Sequence, residues 1–86
     1  MKIITVSAIW CPSCLIMRPR FESVAQKYSN IELKTYDLDF DEEVLAYNVG
    51  HILPVFIIFD DKGTELGRLI GEQKLDILTK MVEDHF

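Results

Sequence analysis

The sequence predicts an α/β fold, a four-stranded mixed sheet flanked by helices in the order β-α-β-α-β-β-α. Three observations lead there. The runs at 3–9 and 55–59 have the dense apolar, β-branched character of buried strands. Apolar residues recur at helical spacing from Cys14 to Tyr28, and again from Leu75 to Phe86. Asp60-Asp61-Lys62-Gly63 is turn chemistry between two strands, so a hairpin follows the strand–helix crossovers and makes the sheet mixed.

Taken in order, residues 3–9 (IITVSAI) form the first strand. A helix starts at Pro12 and runs to about Tyr28 or Ser29, with Cys14, Met17, Phe21, Val24, Ala25 and Tyr28 on one face. Pro19 lies inside it, removes a backbone hydrogen bond and should kink it. Residues 31–38 alternate (Ile31, Leu33, then Tyr36 and Leu38) as a second strand. Asp41-Glu42-Glu43 puts negative charge at the start of a short helix carrying Val44, Leu45 and Tyr47, with Gly50 as its stop. Asp37, Asp39, Asp41, Glu42 and Glu43 read as a solvated strand end and helix cap. Pro54 opens the strand 55–59, where its missing N–H is tolerated. Residues 65–70 complete the hairpin, and Leu75, Leu78, Met81, Val82 and Phe86 mark the last helix. Met17 and Met81 are expected in the core.

All 86 residues make one domain, 1–86. With 49% hydrophobic and 27% charged residues the chain has an ordinary globular composition. A net charge of −5 without a Lys/Arg cluster argues against nucleic acid or an anionic membrane as a partner. No apolar run approaches the roughly 20 residues of a membrane span. The N-terminal run is too short and β-branched for a signal peptide, so a cytoplasmic location and a monomer are expected.

The chemistry gathers at Trp10-Cys11-Pro12-Ser13-Cys14, which holds both cysteines. A Cys-x-x-Cys between a strand and a helix reads as a redox pair. With Cys11 as N-cap, Pro12 takes the first helical position, where its fixed φ suits the helix. The N–H groups of Ser13 and Cys14 would then point back at the Cys11 sulfur, and the helix dipole adds positive charge there. Both favour thiolate, making Cys11 the nucleophile, expected at the rim, and Cys14 the shielded resolving thiol. A Cys₂His₂ zinc site is the competing reading. His51 and His85 lie 34 positions apart, unlike the short spacing of such sites, so no metal is expected.

These residues resemble the thioredoxin-like family of thiol–disulfide oxidoreductases. The likeness rests on Trp10-Cys11-Pro12-Ser13-Cys14, on Pro19, on Leu53-Pro54 opening a strand, on Gly63 in the hairpin and on Gly71 after it. It implies a minimal thioredoxin fold and a cis Pro54 packed against the cysteine pair. It also implies that the Leu53 backbone binds an extended substrate segment and that Trp10, Pro12 and Ser13 complete the active-site surface. No bound cofactor is implied. The Cys11/Cys14 pair in its dithiol form would reduce a disulfide-containing client protein, and the Cys11–Cys14 disulfide so formed would be recycled by an external reductant, thioredoxin reductase or another dithiol.

Three departures stand out. The N-terminal strand and helix of full-length thioredoxins are lacking, leaving a core of glutaredoxin size. Thr5 stands where thioredoxins bury an aspartate that takes the proton of the resolving cysteine, so an aspartate at position 5 should speed release of the mixed disulfide. The inner dipeptide is Pro12-Ser13, with proline in the glutaredoxin order, although the paired glycines that bind glutathione are absent. Two other readings stand beside the protein-disulfide reductase: a non-catalytic binding module or redox sensor on the same fold, and a glutathione-linked reductase. His51 reads as a solvated loop residue, or else as a neighbour that tunes Cys11.

Overall fold

The computed structural model of the chain describes residues 1–85. Its elements are β1 (Lys2–Ser7), α1 (Pro12–Lys27), β2 (Glu32–Asp37), a 3₁₀ helix (Glu42–Tyr47), β3 (Val55–Phe59), β4 (Glu65–Ile70) and α2 (Leu75–Asp84). The strands form one sheet in the order β2-β1-β3-β4. β1 runs parallel to β2 and antiparallel to β3, and β3 and β4 form the antiparallel hairpin. This is the mixed sheet expected from two crossovers followed by a turn.

The period-two geometry of the central strands feeds two cores. On one face Ile4 and Val6 of β1 join Val55, Ile57 and Phe59 of β3 beneath Val44 and Tyr47 of the 3₁₀ helix. On the other face Ile3, Phe56 and Ile58 meet Met17, Phe21 and Val24 of α1 and Leu78 and Val82 of α2. The Phe21 and Phe56 rings stack there with centroids 5.4 Å apart. Fully burying each such side chain stabilises the fold by about 1.5–3 kcal/mol. Met17 is fully buried and Met81 packs against the same cluster from its edge.

Several boundaries differ from the sequence reading. β1 stops at Ser7, because the chain must turn before the helix, and Ile9 is 79% exposed in that turn. Pro19 sits within an unbroken α1. It and Leu15, whose carbonyl the missing N–H leaves without its helical donor, both lie on the exposed side, where water can take that role. The short helix after Asp41 is 3₁₀ rather than α, and the residue that stops it lies two positions before Gly50. Asn48 takes the left-handed conformation (φ 53°, ψ 50°) at its C-cap, the one non-glycine residue with positive φ among those described. Its short polar side chain tolerates that region better than most. In the hairpin turn Asp60 Oδ1 accepts the N–H groups of Lys62 and Thr64, both at 2.9 Å, and Gly63 takes φ +85°. In α2, Leu78 and Val82 are fully buried while Leu75 is largely exposed; Phe86, expected on the same face, lies outside the described residues.

Candidate active site

The candidate site lies at the end of the sheet where β1 hands over to α1. Cys11 is the N-cap, with extended backbone (φ −96°, ψ 109°), and Pro12 opens the helix. The turn is closed by the Cys11 N–H, which donates to the Ala8 carbonyl at 3.1 Å. The Cys14 N–H donates to the Cys11 carbonyl at 3.2 Å, and the Cys11 side chain makes no capping hydrogen bond. This corrects the expectation that the first-turn N–H groups hydrogen-bond to the sulfur: a tight first turn commits the Cys14 donor to a backbone oxygen.

The expected split between an exposed and a shielded thiol is also corrected. Both cysteines are free, and they are 6% and 7% exposed, Cys11 marginally the less. The cause is the layer above them: Cys11 and Cys14 pack with Ala8, Val44, Leu53 and Val55 in the core under the 3₁₀ helix. Cys14 thus faces the core as the helical spacing indicated, but Cys11 is covered too. What sets Cys14 apart is its ionisation. Burial pushes its thiol up to about 11, a hydrogen bond with the Cys11 side chain adds to this, the Ala8 backbone opposes it, and the negative charge of Cys11 and Asp37 adds further.

Leu53 and Pro54 are buried, and the peptide bond between them is cis. Leu53 lies just outside the β1–β3 ladder, which ends at Val6 opposite Val55. The Pro54 carbonyl accepts the N–H of Gly71 at 2.8 Å. Gly71 takes φ +86° to do so, a conformation suited to glycine, and a side chain there would lie 3.6 Å from Ile52 Cγ2. Ile52 and Ile70 are exposed apolar residues at this rim.

Trp10 is 58% exposed, and its Nε1–H donates to Asp39 Oδ2 at 2.8 Å. Asp39 is held in turn, its N–H donating to Asp37 Oδ1 at 2.8 Å, while the Asp37 N–H donates to Asp41 Oδ2 at 2.7 Å. The acidic stretch read as a solvated strand end and cap is therefore a chain of local hydrogen bonds that ends on the indole. Asp41 is the N-cap by position, but it makes no side-chain capping bond, because its carboxylate turns back to Asp37.

Thr5 is 1% exposed, and its Oγ1 lies 3.0 Å from Thr35 Oγ1. Both residues border a cavity of about 340 Å³ between α1 and β2 that Cys14 and Asp37 also line. Sequence reasoning missed Thr35 and Asp37 as neighbours of the cysteine pair. The signal was the parallel register, in which Thr5 pairs with Thr35 and Ser7 with Asp37, so these four share one face of the ladder. Pro12 is exposed and Ser13 half-buried at the helix start. His51 is exposed in the loop before Leu53, and among the described residues no hydrogen bond or ion pair joins it to Cys11. No group of three or more His, Cys, Asp or Glu side chains could hold a metal ion among the described residues. No helix there is long and apolar enough to cross a membrane.

Known proteins resemble this chain in sequence and fold. The thioredoxin family model matches residues 1–84. Thioredoxin H7 of Arabidopsis thaliana is 35% identical over 83 residues, which cover 96% of this chain and 63% of that protein. Human thioredoxin is 32% identical over 72 residues, covering 84% of this chain and 68% of its own. The chain thus spans about two thirds of the length of these relatives, slightly less for the plant protein. Among solved structures, a mutant thioredoxin from Halobacterium salinarum superposes with a TM-score of 0.85 at 25% identity, over 96% of this chain and 72% of that one. The reduced Schistosoma mansoni thioredoxin pre-protein gives 0.83 at 27% identity, over 99% and 78%. With its fold, its paired cysteines and a family match along nearly its whole length, this chain belongs to the thioredoxin family.

Proposed function

We propose that the chain is a thiol–disulfide oxidoreductase that reduces protein disulfides by cycling Cys11 and Cys14 between dithiol and disulfide. The observation that carries this reading is the placement of Cys11 at the N-cap of α1, one turn from Cys14 and in one cluster with Leu53, which precedes the cis Pro54. Cys11, at the helix N-terminus, attacks a client disulfide and forms a mixed disulfide. Cys14 then attacks Cys11 Sγ, the client leaves reduced, and an internal disulfide remains for an external reductant to reset.

The client docks as an extended segment along the Leu53 backbone, with Trp10, Pro12 and Ser13 forming the facing wall. Thr5 and His51 act as modulators of the pair. The chain works as a monomer without a bound cofactor, and its partners are a disulfide-bearing client protein and thioredoxin reductase or another dithiol reductant. The proposed setting is the cytoplasm, a reducing compartment in which a lone cysteine pair is usually catalytic rather than structural.

Trapping tests the roles. Cys14→Ser should accumulate mixed disulfides detectable by mass spectrometry, and Cys11→Ser should not; the reverse pattern would overturn the assignment. Reduction of insulin with dithiothreitol, faster with wild type than with Cys11→Ser, separates a reductase from a non-catalytic binding module. Recycling with NADPH and either thioredoxin reductase or the glutathione system identifies the reductant.

A further inference from the structure

In the dithiol cycle proposed above, on which this inference rests, Cys14 must lose its proton before it can attack Cys11. In the dithiol its thiol is pushed up to about 11, first by burial, and burial still disfavours the thiolate once Cys11 is in the mixed disulfide, so little of Cys14 is ionised at pH 7. A resolving thiol in that condition needs a base. Thr5 and Ser7, the polar residues of β1 that line the cavity beside Cys14, have no group that ionises near neutrality.

The cavity beside Cys14 supplies what Thr5 lacks. It measures about 340 Å³, and its polar lining includes Thr5, Ser7, Thr35 and Asp37 from the sheet, with Cys14 lining it from α1. A water molecule takes about 30 Å³ of liquid volume and needs two to four polar partners, so the space and its lining suit a short water chain. The ladder register aligns Thr5 with Thr35 and Ser7 with Asp37, which puts the hydroxyl pair and the carboxylate on one face under the first turns of α1. The Asp37 carboxylate is fixed in place: Oδ1 accepts the Asp39 N–H, and the residue's own N–H is held by Asp41 Oδ2. Its charge is felt at Cys14.

We infer that Asp37 accepts the proton of Cys14 through water in this cavity, standing in from β2 for a carboxylate that β1 does not provide. Cys14 Sγ–H gives its proton to a cavity water, which passes one to the Asp37 carboxylate. The Cys14 sulfur then forms a bond to Cys11 Sγ as the Cys11–client S–S bond breaks, and the electron pair leaves on the client sulfur as a thiolate. The client disulfide has gained two electrons and the cysteine pair has lost two. The other charged groups on this cavity are Arg18 and Glu22 of α1, which pair with each other at 3.6 Å, and Asp41, with the Tyr36 phenol also lining it; Cys11, bonded to the client at this step, carries no charge.

The sign of one substitution decides the matter. As a bare negative charge Asp37 hinders ionisation of Cys14, so Asp37→Asn would speed resolution if charge were its only influence. As proton acceptor its loss slows resolution. Stopped-flow reaction of the reduced protein with dithiobis(nitrobenzoate) reads both steps, since Cys11 attack releases one coloured thiol and Cys14 attack the second. For Asp37→Asn the first phase should stay within about twofold of wild type. The second should slow by at least about tenfold at pH 7, with the gap closing as the pH nears that of Cys14 ionisation. Asp37→Glu should recover part of the rate. Asparagine keeps an acceptor for the Asp39 N–H, so Trp10 fluorescence should not move; a merely structural role would move it.

A second phase that is unchanged, faster, or slowed equally at every pH overturns the inference. If the variant does not fold, wild type still decides: its second phase should hold its rate well below the pH at which Cys14 ionises, and a tenfold fall per pH unit below about pH 9 overturns it. Release of fewer than two coloured thiols per wild-type chain would instead sink the dithiol cycle itself.

Discussion

The indole of Trp10 and the carboxylate of Asp39 are joined by a 2.8 Å hydrogen bond that ties the turn before α1 to the loop after β2. The bond orients a half-exposed aromatic next to Cys11 in the chain, and the acidic loop expected as plain solvated surface becomes its anchor. Asp39→Ala should leave the fold intact, shift the Trp10 emission, and lower kcat/KM for insulin reduction by about two- to tenfold, the equivalent of ~0.5–1.5 kcal/mol. Unchanged emission together with unchanged kcat/KM would show that the bond does not hold the ring in solution.

Cys14 predicts an alkaline limit to stability. Its folded-state thiol is raised from 9.0 to about 11, first by burial, so the folded chain holds this proton more tightly than the unfolded one. The stabilisation is therefore fully present below about pH 9 and is lost as the pH rises toward 11, at most on the order of 2 kcal/mol. Urea unfolding of wild type and Cys14→Ala between pH 8 and pH 11 isolates the effect, because lysines and tyrosines titrate alike in both. The wild-type curve should fall more steeply, and parallel curves would contradict it.

Phe56 sits at the heart of the α1–α2 face, fully buried and stacked on Phe21. Phe56→Ala should cost about 3–5 kcal/mol in denaturant unfolding, the transfer and cavity terms together. Phe56→Leu, which keeps most of the volume, should cost appreciably less. Equal costs would mean that the ring's shape and its stack on Phe21, rather than apolar volume, carry the contribution.

At the end of the 3₁₀ helix, Asn48→Gly should be neutral to slightly stabilising and Asn48→Ala should cost about 1–2 kcal/mol, since alanine resists the left-handed region. Thermal melts of the two variants give the comparison directly.

This position also shows where sequence reading reached its limit. Gly50 was the natural stop by composition, yet the chain turned at Asn48, because where a short helix ends depends on how its apolar residues, Val44 and Tyr47, seat on the sheet. Elements with strong local signals were legible: β3 as an unbroken apolar run, the hairpin from Asp60 to Gly63, and α1 from its cysteine-proline start. The separate roles expected of the cysteines were legible only in part. Helical spacing turned Cys14 inward, but the cover over Cys11 comes from Leu53 and Val44, far along the chain, and no local pattern encodes that contact. Thr35 and Asp37 were hidden for the same reason. Their proximity to Cys14 follows from a parallel register between strands separated by a whole helix.

β3 is buried at every position and hydrogen-bonded on both sides, to β1 and to β4. Its amide protons should exchange with solvent only when the whole molecule opens. Pro54 leads directly into that strand, and Gly71 clasps its carbonyl from the far end of β4. The ledge on which a client strand would settle is thus an extension of the slowest-moving part of the molecule, and an incoming chain has to adapt its own shape to it.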